Sequence, residues 1–136
     1  MPELNFTPEQ RAAIDTRGST VLVSAAAGSG KTRVLTERLM AYLTDAENPV
    51  DIDRFLVITY TRAAAAELRS RILDGIYARI ASDPENRRLR RQVALCARAE
   101  IGTIHSFCAD FLRANCAALA LAPVSYTHLT LPTNSL

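Results

Sequence analysis

One stretch constrains this chain more than any other: the run Ser19-Thr-Val-Leu-Val-Ser24 followed at once by Ala25-Ala26-Ala27-Gly28-Ser29-Gly30-Lys31-Thr32. A short β-branched, apolar run reads as a strand. The small residues after it read as a tight loop, and Leu35, Leu39, Tyr42 and Leu43 then recur at helical spacing. Strand, small-residue loop, Lys-Thr and helix make the setting of a phosphate-binding loop. Small residues let backbone N–H groups turn inward around a polyphosphate, and the N-terminus of the next helix adds a positive dipole. Lys31 can reach the β- and γ-phosphates as a point charge. The Thr32 hydroxyl can ligate Mg²⁺. Composition sharpens this reading, because Lys31 is the only lysine among sixteen basic residues. Ala25 stands where the general pattern has Gly, and a Gly-Ser turn that binds nothing is the plain alternative.

The rest of the chain is expected to alternate helices and strands. Residues 7–16 read as a helix, with Thr7 at the N-cap, Pro8 at N1 and Gln10 at the capping-box position. Residues 19–24 read as a strand buried on both faces, and residues 31–44 as a helix. A polar loop leads to a second buried strand over 55–60. A long Ala-rich helix over 63–81 carries Leu68, Ile72, Ile76 and Ile80 on one stripe. A turn over 82–86 offers Ser82 or Asp83 as a cap for a helix over 86–99. A third strand over 101–104 and a last helix over 106–121 follow. Strands separated by helices imply an α/β fold with a parallel sheet covered on both faces.

Four stretches in order carry a family resemblance. Ala26-Ala-Gly28-Ser-Gly30-Lys31-Thr32-Arg33 resembles motif I of UvrD-type superfamily 1 helicases, in which Ala is usual at the position of Ala25. Phe6-Thr-Pro-Glu-Gln10 resembles their Q motif. Thr59-Tyr60-Thr61-Arg62-Ala-Ala-Ala-Ala-Glu67-Leu68 resembles motif Ia, and Gly102-Thr103-Ile-His105-Ser106-Phe107-Cys108 resembles motif Ib. Within that superfamily the wording is most like the A subunit of AddAB-type helicase–nucleases, over roughly residues 4–122. The resemblance implies a P-loop NTPase (RecA-like) fold, with ATP and Mg²⁺ as cofactors. The partners it implies are single-stranded DNA and a second subunit of the helicase–nuclease. It also implies 3′-to-5′ translocation of the whole protein in double-strand break repair.

The resemblance assigns roles by position. Ala25, Ala26, Ala27, Gly28, Ser29, Gly30, Lys31 and Thr32 would hold the phosphates, with Lys31 and Thr32 serving catalysis and Thr32 the metal. Gln10 would bond the adenine edge, alongside its capping role. Arg33 would lie beside the base or ribose, or else be a solvated helix residue. Thr59, Thr61 and Arg62 would contact DNA phosphates. Tyr60 would stack on a base or else be a core aromatic. Many relatives carry Asn-Lys where this chain has Arg62-Ala63, so the Asn contact is missing. Thr103, His105 and Ser106 would hold the DNA backbone. Glu67 reads as an intrahelical partner of Arg71, and Phe107 with Phe111 as core.

Other features narrow the possibilities. No apolar run reaches transmembrane length, and Met1-Pro2-Glu3-Leu4-Asn5 is no secretory leader; a cytoplasmic protein without a membrane role is expected. Cys96, Cys108 and Cys116 form no CxxC and read as reduced thiols. Arg87-Arg88-Leu89-Arg90-Arg91 reads as a solvated face with Leu89 turned inward, or as a phosphate-attracting patch. Hydrolysis needs a later acidic pair for Mg²⁺ and water, and Arg side chains for the transition state. Here Glu100 and Asp110 are isolated. Residues 1–123 are therefore expected to be an incomplete RecA-like domain, the N-terminal part of a longer helicase. They should be marginally stable, bind ATP weakly or not at all because half of the cleft lies elsewhere, and be inactive in hydrolysis alone. Residues 124–136 lack every charge and helical period, and resemble translated adapter sequence or a disordered tail. A small P-loop phosphotransferase of nucleotide-kinase type, or an inactive remnant, are the alternative readings.

Overall fold

The computed structural model describes residues 5–26 and 28–118. They divide into two compact units, one ending at Thr103 and the other starting at Ile104.

In the first unit, α1 (Pro8–Asp15) starts in a full capping box. The Thr7 hydroxyl accepts from the Gln10 N–H at 3.3 Å, and the Gln10 Oε1 accepts from the Thr7 N–H at 3.0 Å. Ala13 and Ile14 of α1 bury against Val34 of α2 (Lys31–Leu43). A 3₁₀ turn at Ile52–Arg54 precedes β1 (Leu56–Thr59). Then come α3 (Arg62–Ser82), α4 (Arg87–Cys96) and β2 (Glu100–Thr103). The strands pair in parallel, with Val57 opposite Ile101 and Thr59 opposite Thr103. Their inward side chains meet Leu68, Ile72 and Ile76 of α3 and Leu39, Met40 and Leu43 of α2 in one core. Gly75 lets α3 approach α2 closely: a Cβ there would lie 3.2 Å from the Met40 Sδ.

Two polar side chains lock this core. Gln92 is fully buried; it accepts from the Ile52 N–H at 2.9 Å and donates to Asp51 at 2.7 Å. Arg69 of α3 donates to the carbonyls of Cys96, Ala99 and Ile101, gathering the end of α4 and the start of β2.

Several sequence expectations need correction. Residues 19–24 form no strand, and Leu22 is 92% exposed. β-propensity expresses a fit to a paired, half-buried surface. Among the described residues the two strands pair only with each other and this run pairs with neither, so it has no partner to supply that surface. The sheet is covered on one face, leaving Leu56 and Ile58 about half exposed on the other. The cap of α4 is Asn86, whose side chain accepts from the Leu89 N–H at 3.1 Å, rather than Ser82 or Asp83.

The second unit contains α5 (Ile104–Ala114). Phe107 and Phe111 stack along it with ring centroids 6.1 Å apart, and Arg113 pairs with Asp110. Phe111 is exposed, which corrects its reading as core. The far part of the expected last helix and the whole of 124–136 lie outside the described residues.

Candidate nucleotide and nucleic-acid sites

The segment between Ser24 and α2 owes its shape to two glycines. Gly28 and Gly30 hold φ of +80° and +83°, a left-handed backbone that a side chain would strain. Gly30 is the N-cap of α2, so the N-terminus of that helix opens directly from the loop. No side chain caps it, and its first N–H groups have no intrahelical carbonyl to bond. The Lys31 ammonium folds back over the loop and donates to the carbonyls of Ala25 at 2.7 Å and Ala26 at 2.6 Å. Gln10 reaches in from α1, and its Nε2 donates to the Ser29 carbonyl at 3.1 Å. The same amide thus completes the capping box with its oxygen and braces the loop with its nitrogen.

A cavity of about 540 Å³ adjoins the loop. Gln10, Ala25, Ser29 and Lys31 line it together with apolar Val21, Leu22 and Val34. That volume suits a small-molecule site with a few convergent polar groups. Lys31 is the one cation among its lining residues, and the glycine loop and the N-terminus of α2 beside it are the kind of donors a polyphosphate takes. Ala26, Gly28, Gly30, Thr32 and Arg33 do not line this cavity, and Ala27 lies outside the described residues. Thr32, exposed in the first turn of α2, gives its carbonyl to the Thr36 hydroxyl at 2.9 Å. Arg33 lies over the Phe6 ring at 4.8 Å, and Arg11 approaches the same ring at 5.4 Å. Both basic residues are thereby fixed beside the Phe6–Gln10 stretch.

The motif Ia residues gather at the carboxyl ends of the parallel strands, the usual ligand side of such a sheet. The Thr59 hydroxyl lies 3.0 Å from the Thr61 carbonyl and 3.4 Å from that of Gly102. The Thr61 hydroxyl accepts from the Ala64 N–H at 3.1 Å and caps α3. Its own proton remains available to a phosphate oxygen, while that of Thr59 is engaged. Arg62 is exposed in the first turn of α3. Tyr60 is fully exposed, not a core aromatic. Thr103 is buried opposite Thr59. His105 and Ser106 belong to the second unit, His105 being exposed in the first turn of α5.

The Arg-rich run is more structural than its sequence suggests. Asp51 holds Arg88 at 2.9 Å and Arg91 at 3.6 Å, and Arg90 bonds the Pro84 carbonyl. The Gln92 amide, with Arg88 and Arg91 alongside, holds the Asp51 carboxyl below its ordinary pKa. Glu67 and Arg71 pair at 2.7 Å as their spacing indicates. Among the described residues the cysteines are unpaired and no cluster of potential metal ligands occurs. None of the described helices is long and apolar enough to cross a membrane.

Comparison with known proteins supplies a family. The UvrD/REP helicase N-terminal domain model matches residues 6–129. The chain is 52% identical over 119 residues to the A subunit of the ATP-dependent helicase/nuclease of Clostridium acetobutylicum, covering 88% of this chain and 10% of that protein. It is 54% identical over 118 residues to the protein of the same name from Thermoanaerobacter sp., covering 87% of this chain and 10% of the relative. A third, from Clostridium beijerinckii, is 50% identical over 123 residues, which are 90% of this chain and 10% of the relative. The chain thus spans about 10% of the length of the curated relatives it matches.

Proposed function

The chain belongs to the UvrD/REP helicase N-terminal domain family, and we propose that it is the ATP-gripping part of a DNA helicase motor of helicase–nuclease type. Residues 1–123 would form part of its RecA-like domain. The observation that carries this reading is the brace between Gln10 and the Ser29 carbonyl, beside the one lysine of the chain. It ties α1 to the loop that opens α2, so that Gln10 and Lys31 line one cavity.

In this reading Lys31 exchanges its bonds to the Ala25 and Ala26 carbonyls for β- and γ-phosphate oxygens. The N–H groups opening α2 face the same charge, and the Thr32 hydroxyl holds Mg²⁺. The bound metal would neutralise charge building on the transferred phosphoryl group. Gln10 contacts the adenine edge, with Arg33 and Phe6 beside it. Tyr60 stacks on a base while Thr61, Arg62 and the N-terminus of α3 take adjacent phosphates. Thr59 and Thr103 lie at the same strand ends in the first unit, and His105 and Ser106 are DNA-backbone contacts of the second unit in the same reading. The acidic pair and transition-state arginines that hydrolysis needs lie in other parts of the motor in this reading, so this chain alone would bind nucleotide weakly and without steady turnover. Translocation 3′ to 5′, action at double-strand breaks and a second subunit belong to the whole motor in the same proposal.

A kinase-like phosphotransferase would need arginines poised over the phosphates. None of the arginines of the Arg-rich run lines the cavity beside the glycine loop, which favours the motor. Salt-dependent binding of single-stranded DNA is the discriminating experiment. The motor reading expects log K to fall linearly with log salt concentration; a chain that binds nucleotide but no DNA at low salt would overturn it.

A further inference from the structure

α4 presents two unlike faces. Leu89, Gln92, Leu95 and Cys96 are buried in the core, which leaves Arg87, Arg90 and Arg91 exposed on the outer side. Arg87 and Arg91 stand one turn apart, about 6 Å along the axis, and exposed Arg98 follows in the turn after the helix. Between Asn86 and Glu100 there are five arginines and no acidic residue. Asp51 is the only carboxylate paired with this set among the described residues, and it leaves the Arg91 side chain 67% exposed. No ion pair ties Arg87 or Arg98 among the described residues, while Arg90 donates to the Pro84 carbonyl.

From this arrangement we infer that the outer face of α4 is a docking surface for the phosphate backbone of duplex DNA, distinct from the single-strand site at Tyr60. The inference rests on the motor reading above, since it takes DNA as the polyanion. The choice of duplex follows from what the face lacks. Single-strand sites combine a basic track with aromatic stacking platforms, and no aromatic residue occurs between Asn86 and Glu100. A row of arginines borne along one helix and the turn after it suits the regular phosphate rows of a duplex, where contacts position without reading sequence. A membrane surface is a poor match, because the apolar side of α4 is already used in the core and cannot enter lipid.

The test uses the 136-residue chain and fluorescence anisotropy of a labelled blunt duplex and a labelled single strand, over about 50 to 200 mM salt. Arg87→Gln with Arg98→Gln should weaken duplex binding about tenfold at low salt. It should also flatten the slope of log K against log salt by about 0.9 per lost phosphate contact. Single-strand binding and the melting temperature should not change, and Lys at both positions should restore duplex affinity. A control pair, Arg71→Gln with Arg113→Gln, removes the same charge elsewhere and should leave the duplex curve as it was. Equal weakening by both pairs would reduce the effect to net charge and overturn the proposal, as would no weakening by the α4 pair. If the unmodified chain binds the single strand but not the duplex, the α4 proposal falls alone. If it binds neither, the motor reading falls with it.

Discussion

The Gln10 side-chain nitrogen lies 3.1 Å from the Ser29 carbonyl, so the first helix and the glycine loop before α2 are held by one amide. Its two ends can be separated chemically. Gln10→Glu keeps the oxygen that accepts from the Thr7 N–H and removes the nitrogen that bonds Ser29. We expect Gln10→Glu to melt close to the unmodified chain but to bind ATP–Mg²⁺ several-fold more weakly. Gln10→Ala should lose about 0.5–2 kcal/mol of stability as well. Calorimetric melts beside nucleotide titrations check this; a Gln10→Glu variant with unchanged affinity would confine the residue to capping.

Gln92 satisfies a buried backbone N–H at Ile52 and a carboxylate at Asp51. Gln92→Leu should leave that N–H without a partner, at a cost of about 1–3 kcal/mol. Urea unfolding should show the midpoint fall without a change in slope. Nucleotide affinity measured below the midpoint should be untouched.

Asp51 gives the fold an acid-sensitive joint. Its pKa is lowered first by the Gln92 hydrogen bond and then by Arg88 and Arg91. A carboxyl more acidic when folded contributes stability above its unfolded pKa of about 3.9. That contribution is lost as pH falls through the lower folded value. Melting temperature should therefore drop as pH goes below about 4, and Asp51→Asn should remove part of that dependence while lowering stability at neutral pH. An identical pH profile for the variant would show that other carboxylates govern acid unfolding.

Much of this was legible in the sequence, and the exceptions are instructive. Thr7, Pro8 and Gln10 announced α1, and the Leu68–Ile72–Ile76 stripe announced α3, because both are local patterns. Ser19–Ser24 misled, because a strand needs a neighbour and propensity names only one side of the pair. The one-faced burial of β1 follows from the same shortage of layers. Gln92 could have been found: it falls three residues after Leu89 and three before Leu95 on the buried side of α4. Arg69 could not, since in an Ala-rich helix it looks like any solvated arginine until α4 ends beside it. The loop glycines were placed by pattern, but the brace from Gln10 to Ser29 spans nineteen residues and has no signature in either segment.

Because Tyr60 is fully exposed, its substitution tests the proposed DNA site without disturbing the core. Tyr60→Ala should lower single-strand affinity by the loss of one stacked base, about 1–3 kcal/mol or roughly fivefold to a hundredfold. The melting temperature should stay the same. Anisotropy with a labelled oligonucleotide reads the change; full affinity in the variant would remove Tyr60 from the DNA site.

The most direct test is a titration of the unmodified chain and Lys31→Ala with a fluorescent, non-hydrolysable ATP analogue and Mg²⁺. Charge-assisted hydrogen bonds are worth about 1.5–3 kcal/mol, so the variant should bind roughly tenfold to a hundredfold more weakly while unfolding at the same temperature. Equal affinity for the two proteins would mean that the loop does not grip phosphate, and would contradict the account at its centre.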